Sequence, residues 1–62
     1  MTHEQLLQYI EEQIVAHPEL KPEILDFYQL CLDEIEEGGS PNHERELCHN
    51  SIEELIKETE KL

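Results

Sequence analysis

Positive charge is what this chain most lacks: four lysine and arginine residues stand against sixteen aspartate and glutamate residues, a formal charge of −12 over 62 residues. Nucleic acid and anionic membranes both reward lysine and arginine, so neither is expected as a direct partner. Long apolar runs are missing too. The longest span two or three residues, whereas a membrane-spanning helix needs roughly 20 and a signal peptide needs a continuous apolar core. A cytoplasmic location is the expectation that follows. Glycine occurs twice and tryptophan not at all, so no glycine-rich loop is present to cradle a phosphate. The two cysteines form no CxxC motif and the four histidines no HxxxH motif, which removes the usual zinc frameworks.

Met1 is in place and nothing reads as a tag or a fusion scar, so the expectation is a complete short protein with one domain, 1–62. A chain of this size buries only about 60% of the surface exposed when unfolded. With 37% apolar residues its private core is thin, and a homodimer stays open as an alternative.

What is present is helical periodicity. Thr2 and Gln5 form a T-x-x-Q pattern, in which a hydroxyl caps the helix start and the amide reaches back. Leu6, Leu7, Ile10 and Ile14 follow at three- and four-residue spacing, with Val15 and Ala16 beside them, and Pro18 ends the segment. His17 to Lys21 reads as a tight connector into a second helix with Pro22 in its first turn. Ile24, Leu25, Phe27, Tyr28, Cys31, Leu32 and Ile35 form the next stripe; Gly38 and Gly39 stop it. Ser40 and Pro41 restart the chain as N-cap and first helical residue. Leu47, Cys48, Ser51, Ile52, Leu55, Ile56, Thr59 and Leu62 mark the apolar face of a third helix.

The expected fold is all-α: a small three-helix bundle with helices near 3–16, 20–37 and 41–60, built on an antiparallel helical hairpin. The short link at Gly38 to Pro41 makes the second and third helices neighbours. Residues equidistant from it should then meet: Leu32 with Leu47, Cys31 with Cys48, Tyr28 with Ser51 or Ile52, and Leu25 with Leu55. The first helix either crosses this hairpin or pairs with a second copy of the chain.

Catalytic chemistry is not expected. Cys31, Cys48, Ser40 and Ser51 have no evident base held by a third group, and three short helices seldom enclose a cleft that excludes water. Cys31 and Cys48 read first as core packing, with a disulfide or a metal or redox role as alternatives. His49 follows Cys48 directly, so on a helix their side chains diverge by about 100° and do not share an ion. His43 is the other nearby histidine, and His3 and His17 read as exposed. Neither a metal nor a cofactor is expected.

The acidic clusters remain. Asp33, Glu34, Glu36 and Glu37 crowd the last turn of the second helix, where backbone carbonyls already carry partial negative charge. Glu44 and Glu46 continue the cluster beyond the turn. The bland reading is solubility alone; the functional one is a surface for a basic protein partner. Glu53, Glu54, Glu58 and Glu60, moderated by Lys57 and Lys61, read as a solvated face, and Glu11 and Glu12 mark the first helix.

The expected function is a small acidic protein-binding module, an inhibitor or regulator that occupies the basic, nucleic-acid-binding surface of a partner through Asp33, Glu34, Glu36, Glu37, Glu44 and Glu46. In size and charge the chain resembles small acidic inhibitors encoded by phages and mobile elements, a likeness of composition alone. The alternative is an assembly or dimerisation module that docks an apolar helix face, with Tyr9, Phe27, Tyr28 and Ile56 as residues that one thin core cannot all bury.

Overall fold

The computed structural model describes residues 1–61; the place given to Leu62 in the third stripe lies outside them. The chain is all-α, with three α-helices and, among the described residues, no strand. None of the helices among the described residues is long and apolar enough to cross a membrane.

Helix α1 spans His3–Ala16. Its start is a reciprocal cap: the Gln5 N–H donates to Thr2 Oγ1 at 3.2 Å, and the Thr2 N–H donates to Gln5 Oε1 at 2.9 Å. Donors that the first helical turn would leave without partners are thereby satisfied. At the other end the His17 N–H still reaches Gln13 O at 2.8 Å. Its backbone has left the helical region (φ −134°, ψ 68°), as a residue before proline prefers. Pro18–Leu20 then makes one 3₁₀ turn that turns Leu20 into the core. Helix α2, Lys21–Glu36, follows directly, with Pro22 in its first turn where a missing N–H breaks no bond.

The end of α2 is built by two glycines. Gly38 takes a φ of +106°, which a side chain disfavours, and donates to Ile35 O at 3.1 Å; Gly39 donates to Glu34 O at 2.8 Å. Together these are the paired 5→2 and 6→1 bonds of a Schellman turn, and they occupy carbonyls that would otherwise end the helix unpaired. Helix α3 spans Pro41–Glu60. Ser40 has the extended backbone of an N-cap, but its hydroxyl makes no capping bond; its carbonyl accepts from Glu44 N–H at 2.9 Å instead.

Eight side chains form the core: Leu6, Ile10, Leu20, Ile24, Cys31, Cys48, Ile52 and Ile56. Leu6, Ile24 and Ile52 are fully enclosed, one from each helix. The most extensive packing is between α2 and α3, and α1 rests on both of them. Two polar contacts and one ring contact hold α1 and the residues before it. His3 Nε2 and Tyr28 Oη lie 2.7 Å apart, Arg45 Nε donates to Met1 O at 2.9 Å, and the Tyr9 ring tilts against His49 with centroids 4.2 Å apart.

Tyr28 packs against the core that holds Ile52 and turns its hydroxyl to His3 on α1, while Phe27 lines the surface hollows with Ser51. Leu47 opens with Phe27 and Leu30 onto a surface hollow that Leu32 does not line. Leu25 is exposed, because Ile24 fills the core at that level. Ile56 is buried, whereas Tyr9, Phe27 and Tyr28 are half-buried at the margin. His17 is half-buried rather than exposed.

Candidate protein-binding face

The residues singled out for their charge divide into groups. Asp33, Glu36 and Glu37 stand exposed around the end of α2, with Asp33 Oδ1 accepting from Gln29 Nε2 at 3.0 Å. Glu34 and Glu44 come together: both line one hollow between α2 and α3, on either side of Gly39. The glycine makes this possible, since a β-carbon there would sit 2.8 Å from Glu34 O and 3.2 Å from Glu44 Cγ. Glu46 is separate, lining a small hollow with Met1, His49 and Asn50.

None of these six carboxylates has an ion-pair partner among the described residues. The cations whose contacts are defined are engaged elsewhere. The Arg45 guanidinium bonds Met1 O and Asn42 Oδ1, and Lys57 pairs with Glu53 at 3.2 Å. No basic residue lies in the last turn of α2. Attraction within the molecule therefore does not compensate the charge at this end, and the Schellman bonds supply part of what a lysine or arginine cap would.

Beside the charge lies an apolar groove that the stripes did not disclose. Two adjoining hollows share Phe27, Leu47 and Ser51 and run along the α2–α3 seam. Leu30 and Leu47 stand at their sides, 56% and 45% exposed, while Cys31 and Cys48, each 4% exposed, lie beneath. Leu55 extends the groove toward the end of α3. Its charged lining is acidic throughout: Glu34 and Glu44 in one hollow, Glu54 and Glu58 in the other. The one sequence-level signal was Leu30, an apolar residue lying off the α2 core stripe.

The cysteines are both free and both buried. Burial, followed by the neighbouring Cys31, pushes the Cys48 thiol up to about 11. Cys31 is raised as well, by burial first and then by Glu44, with Arg45 acting the other way. A thiol held in its neutral form is a poor nucleophile and a poor metal ligand. Among the described residues, no group of three His, Cys, Asp or Glu side chains is arranged to hold a metal ion. His17 lies 3.7 Å from Glu19 and 3.9 Å from Glu60, contacts that become ion pairs when the imidazole is protonated.

No protein family, no curated protein and no solved structure matches the chain.

Proposed function

We propose that this chain is a small acidic protein-binding module, an inhibitor or regulator that docks on the basic, nucleic-acid-binding surface of a partner protein. The observation that carries the reading is the set of exposed carboxylates Asp33, Glu34, Glu36 and Glu37. They crowd a helix end where negative charge is unfavourable, and no ion pair among the described residues relieves them. Each such charge disfavours the helix by about 0.3 kcal/mol or more at low salt. A cationic partner surface would reverse the sign of that contribution.

On this reading α2 and α3 form an antiparallel hairpin with residues 38–40 at its tip, and α1 completes a three-helix bundle. Three levels along the seam support that arrangement: Glu34 with Glu44 near the tip, Cys31 with Cys48 next, and Phe27 with Ser51 beyond. A rigid mount gives the carboxylates a fixed spacing, which distinguishes a recognition surface from a merely soluble one.

A second reading, an assembly module docking through an apolar helix face, is favoured by the exposure of Leu30 and Leu47 beside the same groove. For a homodimer, a net charge of −12 on each copy opposes association.

Capture of native-host proteins on the immobilised chain at low salt, with elution by rising salt and identification by mass spectrometry, tests the main reading. The expected catch is dominated by basic, nucleic-acid-binding proteins that release as salt rises. A catch without basic proteins, or one indifferent to salt, counts against it.

A further inference from the structure

We infer that the α2–α3 groove is the seat of a single amphipathic helix of a partner protein, one whose apolar stripe is flanked by lysine or arginine. The inference rests on the acidic-module reading and deepens it, adding the shape of the partner to its charge.

The groove has the dimensions of one helix. Its α3 side runs from Glu44 to Glu58, fourteen residue-to-residue steps, which at 1.5 Å per step is about 21 Å, or roughly four helical turns. On that side Leu47, Ser51, Leu55 and Glu58 recur at three- and four-residue spacing, so one face of α3 looks into it. Phe27, Leu30 and Glu34 do the same on α2. Two parallel ridges with a depression between them match the groove in which an amphipathic helix lays its i, i+3, i+4 and i+7 anchors.

The depression has a local cause. Ser51 is small and half-buried, and it stands between larger residues at the point where both hollows meet. Leu30 and Leu47 project on the two sides with their apolar surface in solvent. Covering such side chains removes apolar surface from water and so favours an apolar occupant.

Charge selects the occupant. The carboxylate residues lining the groove are Glu34, Glu44, Glu54 and Glu58, and no lysine or arginine lines either hollow. Glu54 and Glu58 are themselves a like-charged pair four residues apart, an arrangement unfavourable within the free chain. A second copy of this chain would bring acidic helices against an acidic rim. A helix with cations beside its apolar stripe would satisfy both the rim and the floor. The four rim carboxylates lie on both sides of the seam, so the cations are required on both flanks of the partner's stripe.

The test uses the full chain and two synthetic helical peptides of equal length. In one, leucines recur at helical spacing over four turns among lysines; in the other, glutamine replaces every leucine. Affinity is read by fluorescence anisotropy and location by amide chemical shifts. The leucine peptide should bind at least about tenfold more tightly than the glutamine peptide, with shifts centred on Phe27, Leu30, Leu47, Ser51 and Leu55. Leu30→Ser with Leu47→Ser should remove that advantage while leaving glutamine-peptide binding unchanged. Ser51→Leu, which fills the depression, should do the same. All three positions lie outside the core, and circular dichroism verifies that the helices persist.

Equal binding of the two peptides, or an advantage untouched by these substitutions, overturns the groove while leaving the acidic reading in place. Failure of both peptides to bind removes the acidic reading and the groove with it. A homodimer that Leu47→Ser dissolves assigns the groove to a second copy and likewise overturns the inference.

Discussion

Cys31 of α2 and Cys48 of α3 lie together beneath the apolar groove, both buried. Two helices that share no local sequence meet there, and chemical consequences follow.

The first concerns pH. Burial raises Cys48 from an ordinary 9.0 to about 11 and raises Cys31 in the same direction. An unfolded thiol therefore loses its proton first as pH rises, so the unfolded state binds fewer protons than the folded one. Stability contributed by Cys48 is intact below pH 9 and should fall by about 1.4 kcal/mol per pH unit on the way to 11. Tyr9, raised by burial, Glu53 and Cys48, adds loss in the same direction above pH 10. Urea denaturation at pH 7, 9 and 10.5 measures the slope, and thiolate absorbance in folded and unfolded chains checks its origin. A flat profile would remove the burial argument.

The glycines at the tip make a separable pair. Gly38→Ala places a side chain at φ +106° and should destabilise by about 1–2 kcal/mol, with Gly38→Asn losing less. Gly39→Ala meets the Glu34 carbonyl oxygen at 2.8 Å, so its effect is displacement of the turn itself. Chemical denaturation should rank Gly38→Asn closest to the parent, and chemical shifts of Glu34 and Glu44 should move with Gly39→Ala.

Ile52→Ala removes a fully enclosed core side chain of α3 and should cost about 2–5 kcal/mol. A domain of this length has only about 3–9 kcal/mol in all. The variant should therefore lose a large part of its stability and unfold at a clearly lower temperature by circular dichroism, while Val15→Ala, at an 82% exposed position, should unfold like the parent.

Much of this architecture was readable from short-range chemistry. The Thr2 and Gln5 cap, the stop at Gly38 and Gly39, and the meeting of Cys31 with Cys48 each depend on local rules or on symmetry about one turn. What periodicity did not reveal was how far around each helix the core extends. Leu25 and Leu47 sit at positions that suit an apolar stripe, but Ile24 and Cys48 fill the interior beside them and leave their neighbours in water. The placement of α1 was equally hidden. It depends on Met1 with Arg45, His3 with Tyr28 and Tyr9 with His49, pairs far apart in the chain that no repeat announces. The six acidic positions were visible as charge; that Glu34 and Glu44 share a hollow while Glu46 faces elsewhere required three dimensions.

Tyr28→Phe tests the docking of α1. It deletes the oxygen 2.7 Å from His3 Nε2 and should destabilise by about 0.5–1.5 kcal/mol. Hydrogen exchange should accelerate in α1 more than in α3; equal acceleration throughout would mean that α1 is not held by this bond.

The most direct measurement compares two variants of identical net charge. One carries Asp33→Asn, Glu34→Gln, Glu36→Gln and Glu37→Gln; the other carries Glu11→Gln, Glu12→Gln, Glu23→Gln and Asp26→Asn. Both are titrated by calorimetry against a lysine homopeptide and against any captured partner. The expected result is that the first variant becomes more stable, because repulsion at the end of α2 is relieved, yet loses most of its binding, while the second binds nearly as the parent does. Equal binding by the two variants would mean that only total charge matters, and would contradict the assignment of recognition to the end of α2.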